Sequence, residues 1–503
     1  MGGTLPSPAL PNLSDLIFET GIAARSFADF VTGSGLRLGV TGLSRAGKTI
    51  FITALIHQLT RAAKLAAEGR RNTLPVFRLI AEKRLTGARL EPQPNDAVPR
   101  FAYEDHLAAL TAADRHWPES TRRISELRLT IEFERKAGWR PGPSSLSIDI
   151  VDYPGEWLLD LPLLGKTYAQ WSRETLEASA AAARASLAAH WRGATLGLDP
   201  RAPASEDQAR RLAEQFTGYL KAARAERYAL STLPPGRFLM PGDLEGSPAL
   251  TFAPLQVEDA DTEIAGSLAA MMARRYEAYK THVVRPFFRD HFARLDRQIV
   301  LVDALAALNS GPAAVRDLEN ALADVLTAFR AGRSNLLSTI FRPRIDKILF
   351  AATKADHLHH TSHDRLESIL RHLVGRAIAR AENVGAAVDV VAMAAVRATR
   401  EAAVQQGRQN LNAIVGTPLP GEEIGGEVFD GTGEVAIFPG ELPADPRAVF
   451  RGETLAVSPG EADYRFVRFR PPLAELGTDG LPLPLPHIRL DRALEFLMGD
   501  KVR

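Results

Sequence analysis

The stretch GLSRAGKT, residues 42–49, decides the fold of this chain of 503 residues. It matches the pattern G-x-x-x-x-G-K-[ST], in which the glycines let backbone N–H groups turn inward around a phosphate. The apolar residues 36–41 before it predict a strand, and residues 48–66 predict a helix. The N-terminus of that helix would point its positive end at the same anion. Strand, loop and helix together therefore predict a site for the phosphates of a nucleotide.

The loop residues have distinct expected roles. Lys48 reaches the β- and γ-phosphates, and the Thr49 hydroxyl is a ligand for Mg²⁺. Arg45 either neutralises charge in the transition state, as a catalytic residue beside Lys48, or pairs with a carboxylate or a partner. The residues predicted to bind the phosphate end of the nucleotide are Gly42, Ser44, Arg45, Ala46, Gly47, Lys48, Thr49 and Ile50.

A second loop, DYPG at residues 152–155, follows an apolar segment that predicts a strand at residues 146–151. An aspartate at the end of a buried strand can hold the shell of Mg²⁺, usually through a water molecule, so Asp152 is a predicted metal ligand. Gly155 can present its N–H to the γ-phosphate without a side chain in the way. The pattern D-x-x-G also describes many turns, and its position directly after a strand favours the metal-site interpretation.

A third loop, TKAD at residues 353–356, ends another apolar segment and fits [NT]-K-x-D. The Asp356 carboxylate can accept hydrogen bonds from N1–H and the exocyclic amine of guanine, a donor pair that adenine lacks. The stem of Lys354 can lie along the base, beside Thr353. A solvated polar turn is the alternative. After a further predicted strand, the backbone of Ala395 and Val396 is expected to contact the guanine O6.

Strands that alternate with helices predict an α/β fold of the P-loop NTPase type, with a mostly parallel sheet flanked by helices. Residues 261–297 predict one long helix. Residues 407–472 are rich in Gly and Pro and predict either a small β-rich unit or a loop that covers the site. The predicted units are an N-terminal helix (1–35), a GTPase-like core (36–156 and 297–406), a helical insertion (157–296) and a β-containing extension with a C-terminal helix (407–503).

The composition is that of a folded globular protein, with 45% hydrophobic and 24% charged residues. The absence of cysteine excludes disulfides, thiolate metal sites and cysteine nucleophiles. A net charge near +1 gives no reason to expect nucleic acid as a partner. Because we find neither a secretory signal nor a transmembrane segment, we expect a cytoplasmic protein, with peripheral attachment to the inner membrane left open.

The three loops, in this order along the chain, resemble those of P-loop GTPases. The segments LSRAGKT (43–49), DYPGEW (152–157) and TKADH (353–357) resemble specifically the YcjX family of bacterial stress-associated GTP-binding proteins, over most of the chain. The resemblance implies GTP and GDP as ligands, slow GTP hydrolysis and a cytoplasmic location. It also implies a link to an envelope-stress membrane protein as a partner.

A GTPase needs a loop that senses the γ-phosphate through Mg²⁺. Thr121, just ahead of the strand predicted at residues 124–133, is the candidate metal ligand and catalytic switch residue, with Ser120 as the alternative. A hydroxyl that only caps or ends the loop is the other interpretation. Glu156 stands where many GTPases have a glutamine that orients water. It either takes part in catalysis or is an ordinary switch residue.

Four histidines follow the TKAD loop, at positions 357, 359, 360 and 363. Their spacing allows a metal site, but an exposed loop is the favoured interpretation. Two other functions stay open at the level of sequence. They are an ATP-dependent phosphotransferase, in which Asp356 would have no role, and a nucleotide-binding scaffold with incidental hydrolysis.

Overall fold

A computed structural model of the chain describes most of the sequence, and every structural statement below refers to the described residues. The described ranges are 35–42, 45–67, 73–93, 95–119, 123–136, 142–224, 233–327, 345–383, 385–406, 409–424, 426–451, 464 and 466–503. The predicted N-terminal helix lies outside them, as do Ser44, Ser120 and Thr121.

A central sheet of seven strands forms the core, in the order β2-β3-β4-β1-β5-β6-β7. Strands β4, β1, β5, β6 and β7 are parallel, and β2, β3 and β4 pair antiparallel. The predicted mostly parallel sheet is therefore confirmed. The strands are β1 (Gly35–Gly42), β2 (Leu85–Glu91), β3 (Ser125–Arg135), β4 (Gly142–Asp152), β5 (Arg297–Val302), β6 (Lys347–Ala352) and β7 (Ala387–Ala392).

Helices cover both faces of this sheet because its central strands are apolar on both sides. In β5, Ile299 and Leu301 pack into one hydrophobic core, while Val300 and Val302 pack into the other. The helices are α1 (Lys48–Ala67), α2 (Arg78–Ala81), α3 (Tyr103–Thr111), α4 (Tyr168–Ser179), α5 (Ala182–Thr195), α6 (Glu206–Ala223), α7 (Leu268–Tyr279), α8 (Arg285–Asp290), α9 (Ala304–Asn309), α10 (Pro312–Thr327), α11 (His363–Leu373), α12 (Gly375–Glu382), α13 (Ala448–Arg451) and α14 (Leu490–Met498).

The helices between β4 and β5 share one continuous core with the sheet. In α6, Ser205 caps the N-terminus by accepting a hydrogen bond from the Gln208 N–H. The buried positions of α6 recur every three or four residues, and Leu212, Phe216 and Leu220 pack into the same core as Val300 of β5. The insertion is therefore packed on the sheet.

The single long helix predicted at residues 261–297 is wrong. The segment holds α7, a π-helical turn (Lys280–Val284) and the short α8. Gly266, with φ +77°, and Ser267, whose side chain accepts from the Ala270 N–H, set the start of α7. Pro286 has no N–H to donate to the preceding turn, which accounts for the irregular backbone before it. The pattern of apolar residues indicates neither the later start of the helix nor the π-helical turn within it.

The segment after β7 contributes two small sheets, one of three strands and one of two strands, and the last helix. Its five strands are β8 (Arg400–Gln406), β9 (Gln409–Gly416), β10 (Glu423–Ile424), β11 (Glu427–Val428) and β12 (Val435–Ile437). Strands β8, β9 and β12 pair antiparallel, as do β10 and β11. The final helix, α14, returns to the central sheet, where Leu494 and Leu497 pack in the same core as Leu55 of α1.

Asp160 ties the insertion to the segment that follows the DYPG loop. Its carboxylate accepts hydrogen bonds from the Gly236 N–H (2.6 Å) and from the Tyr279 hydroxyl (2.6 Å). Burial raises the pKa of Asp160 from 3.8 to about 6, against the lowering effect of these hydrogen bonds. The 3₁₀ helix Gly155–Gly165 is thereby anchored from two different elements.

No helix among the described residues combines the length and the apolar composition that crossing a bilayer requires.

We predict that Asp160 makes stability depend on pH. Because its pKa is raised to about 6 in the folded state, folding takes up a proton between about pH 4 and pH 6. Its contribution to the free energy of unfolding is therefore largest below pH 4 and is lost as the pH rises through 6. Relative to wild type, Asp160→Asn should gain up to roughly 3 kcal/mol between about pH 4 and pH 7. Thermal unfolding of both proteins across this range measures the difference, and parallel curves would contradict the expectation.

Candidate functional site

The loop between β1 and α1 adopts the backbone conformation that cradles an anion. Arg45 (φ 62°) and Gly47 (φ 85°) are left-handed, which turns successive N–H groups toward one side. A side chain at Gly42 would place its Cβ only 2.5 Å from the carbonyl oxygen of Leu301, so glycine is required there by the neighbouring strand. Ser44, a predicted phosphate-binding residue, lies outside the described residues.

The side chains of the phosphate loop differ in their contacts and exposure. Lys48 Nζ donates a hydrogen bond to the Gly42 carbonyl, 2.9 Å away, and so spans the loop. Thr49 is buried, Ile50 is half-buried and the Arg45 side chain is exposed. The Phe51 N–H donates to the Gly47 carbonyl (2.9 Å), which starts α1 directly after the cradle.

Asp152 ends the strand next to this loop. In the parallel pairing of β4 with β1 it stands opposite Val40, two residues before Gly42. Its side chain is 1% exposed, and Thr49 is 6% exposed. Gly155 begins the 3₁₀ helix that follows. The carboxyl ends of β4 and β1 therefore bring the two predicted Mg²⁺ loops to the same edge of the sheet.

The TKAD loop is held from two sides. Lys354 has a left-handed backbone (φ 61°), and its Nζ forms an ion pair with Asp303, which follows β5. Asp356 Oδ2 accepts a hydrogen bond from the Ala398 N–H (2.8 Å), and the Asp356 carbonyl accepts one from the Thr399 hydroxyl. The orientation of the Asp356 carboxylate is thus fixed by the connection between β7 and β8.

The structure contradicts the exposed-loop interpretation for three of the four histidines after this loop, because only His360 is exposed. His363 is buried, and its Nε2 lies 2.9 Å from the Ala355 carbonyl, inside the TKAD loop. Burial lowers the pKa of His363 and also that of His357, whose ring packs edge-on against Phe469 at a centroid distance of 5.4 Å. Both imidazoles are therefore neutral at neutral pH.

A cavity of about 740 Å³ joins the phosphate loop and the TKAD loop. This volume is within the range of sites for small molecules and cofactors. The cavity lining does not include Asp152, Gly155 or Glu156 among the described residues. The predicted site residues that line it are Arg45, Ala46, Gly47, Lys48, Thr49, Ile50, Thr353, Lys354, Asp356, Ala395 and Val396.

A sequence model of the YcjX-like family, DUF463, matches residues 36–502. The chain belongs to this family. It is 39% identical over 484 residues to the "Ras-like GTPase YcjX" of Escherichia coli (strain K12), which covers 93% of this chain and 96% of the relative. It is 36% identical over 480 residues to the protein of the same name from Shewanella oneidensis (strain MR-1), covering 93% of this chain and 94% of the relative. The family resemblance inferred from the three loops is confirmed.

The cavity of this YcjX-like chain has further lining residues, several of them from residues 407–472, the segment for which a loop covering the site was one of the two predictions. Trp117 Nε1 donates a hydrogen bond to the Phe469 carbonyl (2.6 Å), which joins the segment before β3 to the C-terminal segment. Arg468 forms an ion pair with Glu422 at 2.6 Å. The lining residues missed from the sequence include Trp117, Glu119, Arg224, Asp303, Leu419, Glu422, Phe466, Arg468 and Phe469. None belongs to a short motif, so only contact between distant segments identifies them.

Glu156 has a partner from the insertion. Its carboxylate lies 2.8 Å from the Arg224 guanidinium, and the side chain of Glu156 is 4% exposed. Arg224 follows the last residue of α6 and lines the cavity, whereas Glu156 does not. The positive member of this ion pair is therefore the one that faces the cavity.

Proposed function

We propose that this YcjX-like chain binds GTP and GDP and hydrolyses GTP to GDP. The observation that carries the proposal is that residues of both the phosphate loop and the TKAD loop line one cavity. The names of the two relatives, both called Ras-like GTPases, support the same activity.

The choice of guanine rests on Asp356. The Ala398 N–H occupies Oδ2 and orients the carboxylate, so that Oδ1 can accept hydrogen bonds from a base in the cavity. Guanine supplies two donors for this acceptor at N1–H and the 2-amino group. Adenine would offer no donor to Oδ1, and a buried carboxylate oxygen without a hydrogen bond is costly. An ATP-dependent phosphotransferase therefore fits this site less well.

We assign Mg²⁺ to Thr49 and Asp152. A hydroxyl and a carboxylate are the hard oxygen ligands that this ion takes, and both groups are buried at one edge of the sheet. Bound there with the nucleotide, the ion would neutralise charge on the β- and γ-phosphates. Thr121, the predicted third ligand and switch residue, lies outside the described residues.

For catalysis we favour Arg224 over Glu156 as the group that meets the phosphates. Glu156 directly follows Gly155, whose N–H we expect to meet the γ-phosphate, and the ion pair of Glu156 with Arg224 supports a position of Arg224 near that phosphate. In hydrolysis, water attacks the γ-phosphorus in line and the bond to the bridging oxygen breaks, which gives GDP, inorganic phosphate and a proton released to solvent. A guanidinium from the insertion would stabilise the charge that develops, with Glu156 as its positioning residue and Lys48 on the phosphates.

This arrangement suggests a regulated switch. A protein partner that shifts α6 would move Arg224 relative to the phosphates and so change the hydrolysis rate. A role in the stress response, and a membrane protein as that partner, enter the proposal through the family resemblance.

We predict that Lys48→Ala weakens GDP binding about 10- to 100-fold, because the phosphates lose a charge-assisted hydrogen bond. Fluorescence titration with labelled GDP measures the affinity. Lys64→Ala is the matched control, because Lys64 lies on the same helix but pairs with Asp479 instead of lining the cavity. Equal affinity of Lys48→Ala and wild type would rule out the phosphate assignment.

Asp356→Asn should shift the base preference of the site from guanine toward xanthine. The amide oxygen can keep the bond to the Ala398 N–H, and the amide NH₂ then faces the base. We expect GDP affinity to fall by about 100-fold or more and xanthosine diphosphate, which has an oxygen at the 2-position, to gain affinity. Competition of both nucleotides against labelled GDP measures the change. A variant that still prefers guanine to the same degree argues against this base site.

Arg224→Ala should lower the rate of single-turnover GTP hydrolysis by at least about 100-fold with little change in GDP affinity. Arg224→Lys keeps the charge but loses the paired N–H donors of the guanidinium, so its hydrolysis rate should lie between those of wild type and Arg224→Ala. Glu156→Gln should have a smaller effect, of about tenfold. Arg45→Ala in the same series tests the arginine of the phosphate loop. Wild-type rates for Arg224→Ala, together with loss of activity in Glu156→Gln, would instead make Glu156 the catalytic group.

A further inference from the structure

Two histidines beyond the TKAD loop converge with a carboxylate of β8. The ligand atoms of His359, His360 and Glu401 all lie within 4.8 Å of one another. Glu401 Oε2 lies 2.7 Å from His360 Nδ1 and 3.7 Å from His359 Nε2. A tetrahedral ion with bonds of about 2.0–2.1 Å holds its ligand atoms ~3.3 Å apart. The two contacts of Glu401 are thus each within about 0.6 Å of this separation, and the pair of histidine nitrogens, at most 4.8 Å apart, would close by no more than about 1.5 Å, which side-chain rotation allows.

The polar atoms of His359 and Glu401 that would not bind the metal have contacts of their own, which orient the candidate ligand atoms toward one another. His359 Nδ1 lies 3.0 Å from the Thr361 hydroxyl, which orients the ring with Nε2 toward Glu401. Glu401 Oε1 accepts from the His360 N–H (3.1 Å) and faces Arg397 at 3.6 Å, which leaves Oε2 for the histidines. Hydrogen bonds to the far side of metal ligands are typical of metal sites, where they fix ligand orientation.

We propose that His359, His360 and Glu401 form a site for a divalent transition metal of the zinc class. Two imidazoles and a carboxylate suit such an ion, and water completes the tetrahedron from the exposed side of His360. Sequence spacing alone could not favour the site, because Glu401 lies in β8, far along the chain from the two histidines.

The site is separate from the nucleotide cavity, whose lining includes none of the three residues. It nevertheless lies beside the connection between β7 and β8, which also contacts the TKAD loop. The connection just before Glu401 holds Asp356 through the Ala398 N–H and the Thr399 hydroxyl. A metal ion would link the segment after the TKAD loop to the start of β8. The TKAD loop and this connection would then be held together by the metal ion as well as by the hydrogen bonds to Asp356.

The test is Zn²⁺ binding to the full, tag-free chain after removal of metals and nucleotide. Competition with a chromophoric chelator gives stoichiometry and affinity, and Co²⁺ in place of Zn²⁺ gives the visible absorption of a tetrahedral site. Wild type should bind one equivalent. His359→Ala and Glu401→Gln should each weaken that binding at least tenfold and abolish the Co²⁺ band.

His282→Ala is the matched control, because His282 is an exposed histidine on the insertion outside this cluster. It should bind Zn²⁺ as wild type does. Unchanged GDP affinity and thermal midpoints in metal-free buffer would show that the cluster variants are folded, independently of the outcome for metal. The proposal is overturned if wild type takes up no Zn²⁺, or if His359→Ala and Glu401→Gln bind it as tightly as wild type and the His282 variant do.

Discussion

Parallel pairing of β4, β1, β5, β6 and β7 is the constraint on which the rest of the structure depends. Because the carboxyl ends of parallel strands lie at one edge, the loops after β1, β4, β5 and β6 meet there although they are far apart in sequence. Close packing at that edge imposes the local sequence. Gly42 has no room for a side chain beside Leu301, and Lys354 reaches Asp303 after the neighbouring strand. The loop geometry is thus a consequence of the sheet.

Segments from outside the sheet complete the site and connect it to the remainder of the chain. The insertion contributes Arg224 to the cavity and anchors the segment after DYPG through Asp160. The C-terminal segment contributes Phe466 and Phe469, and then returns to the sheet as α14. A site with walls from three separate parts of the chain can respond to movement in any of them, which suits a nucleotide switch.

The features that short stretches of sequence determine could be predicted from the sequence. The phosphate, DYPG and TKAD loops are short motifs at the ends of apolar strands, so both their position and the parallel sheet followed from pattern. The edge strand β2 and the burial of His363 did not, because tertiary packing decides them. The π-helical turn before Pro286 was missed because the pattern of apolar residues does not record it. Arg224 and Glu401 could not be identified from spacing, since each acts with a residue of a distant segment. The roles of the site residues and the boundaries of the predicted units stay predictions.

The central claim is that one guanine nucleotide lies across this edge of the sheet, with its phosphates and base at opposite ends of the cavity. A crystal structure of the complex with GDP and Mg²⁺ tests it most directly. The account places the β-phosphate against the N–H groups at residues 45–49 and guanine N1 and N2 within hydrogen-bond distance of Asp356 Oδ1. A base that lies away from Asp356, or phosphates bound outside the loop between β1 and α1, would contradict it.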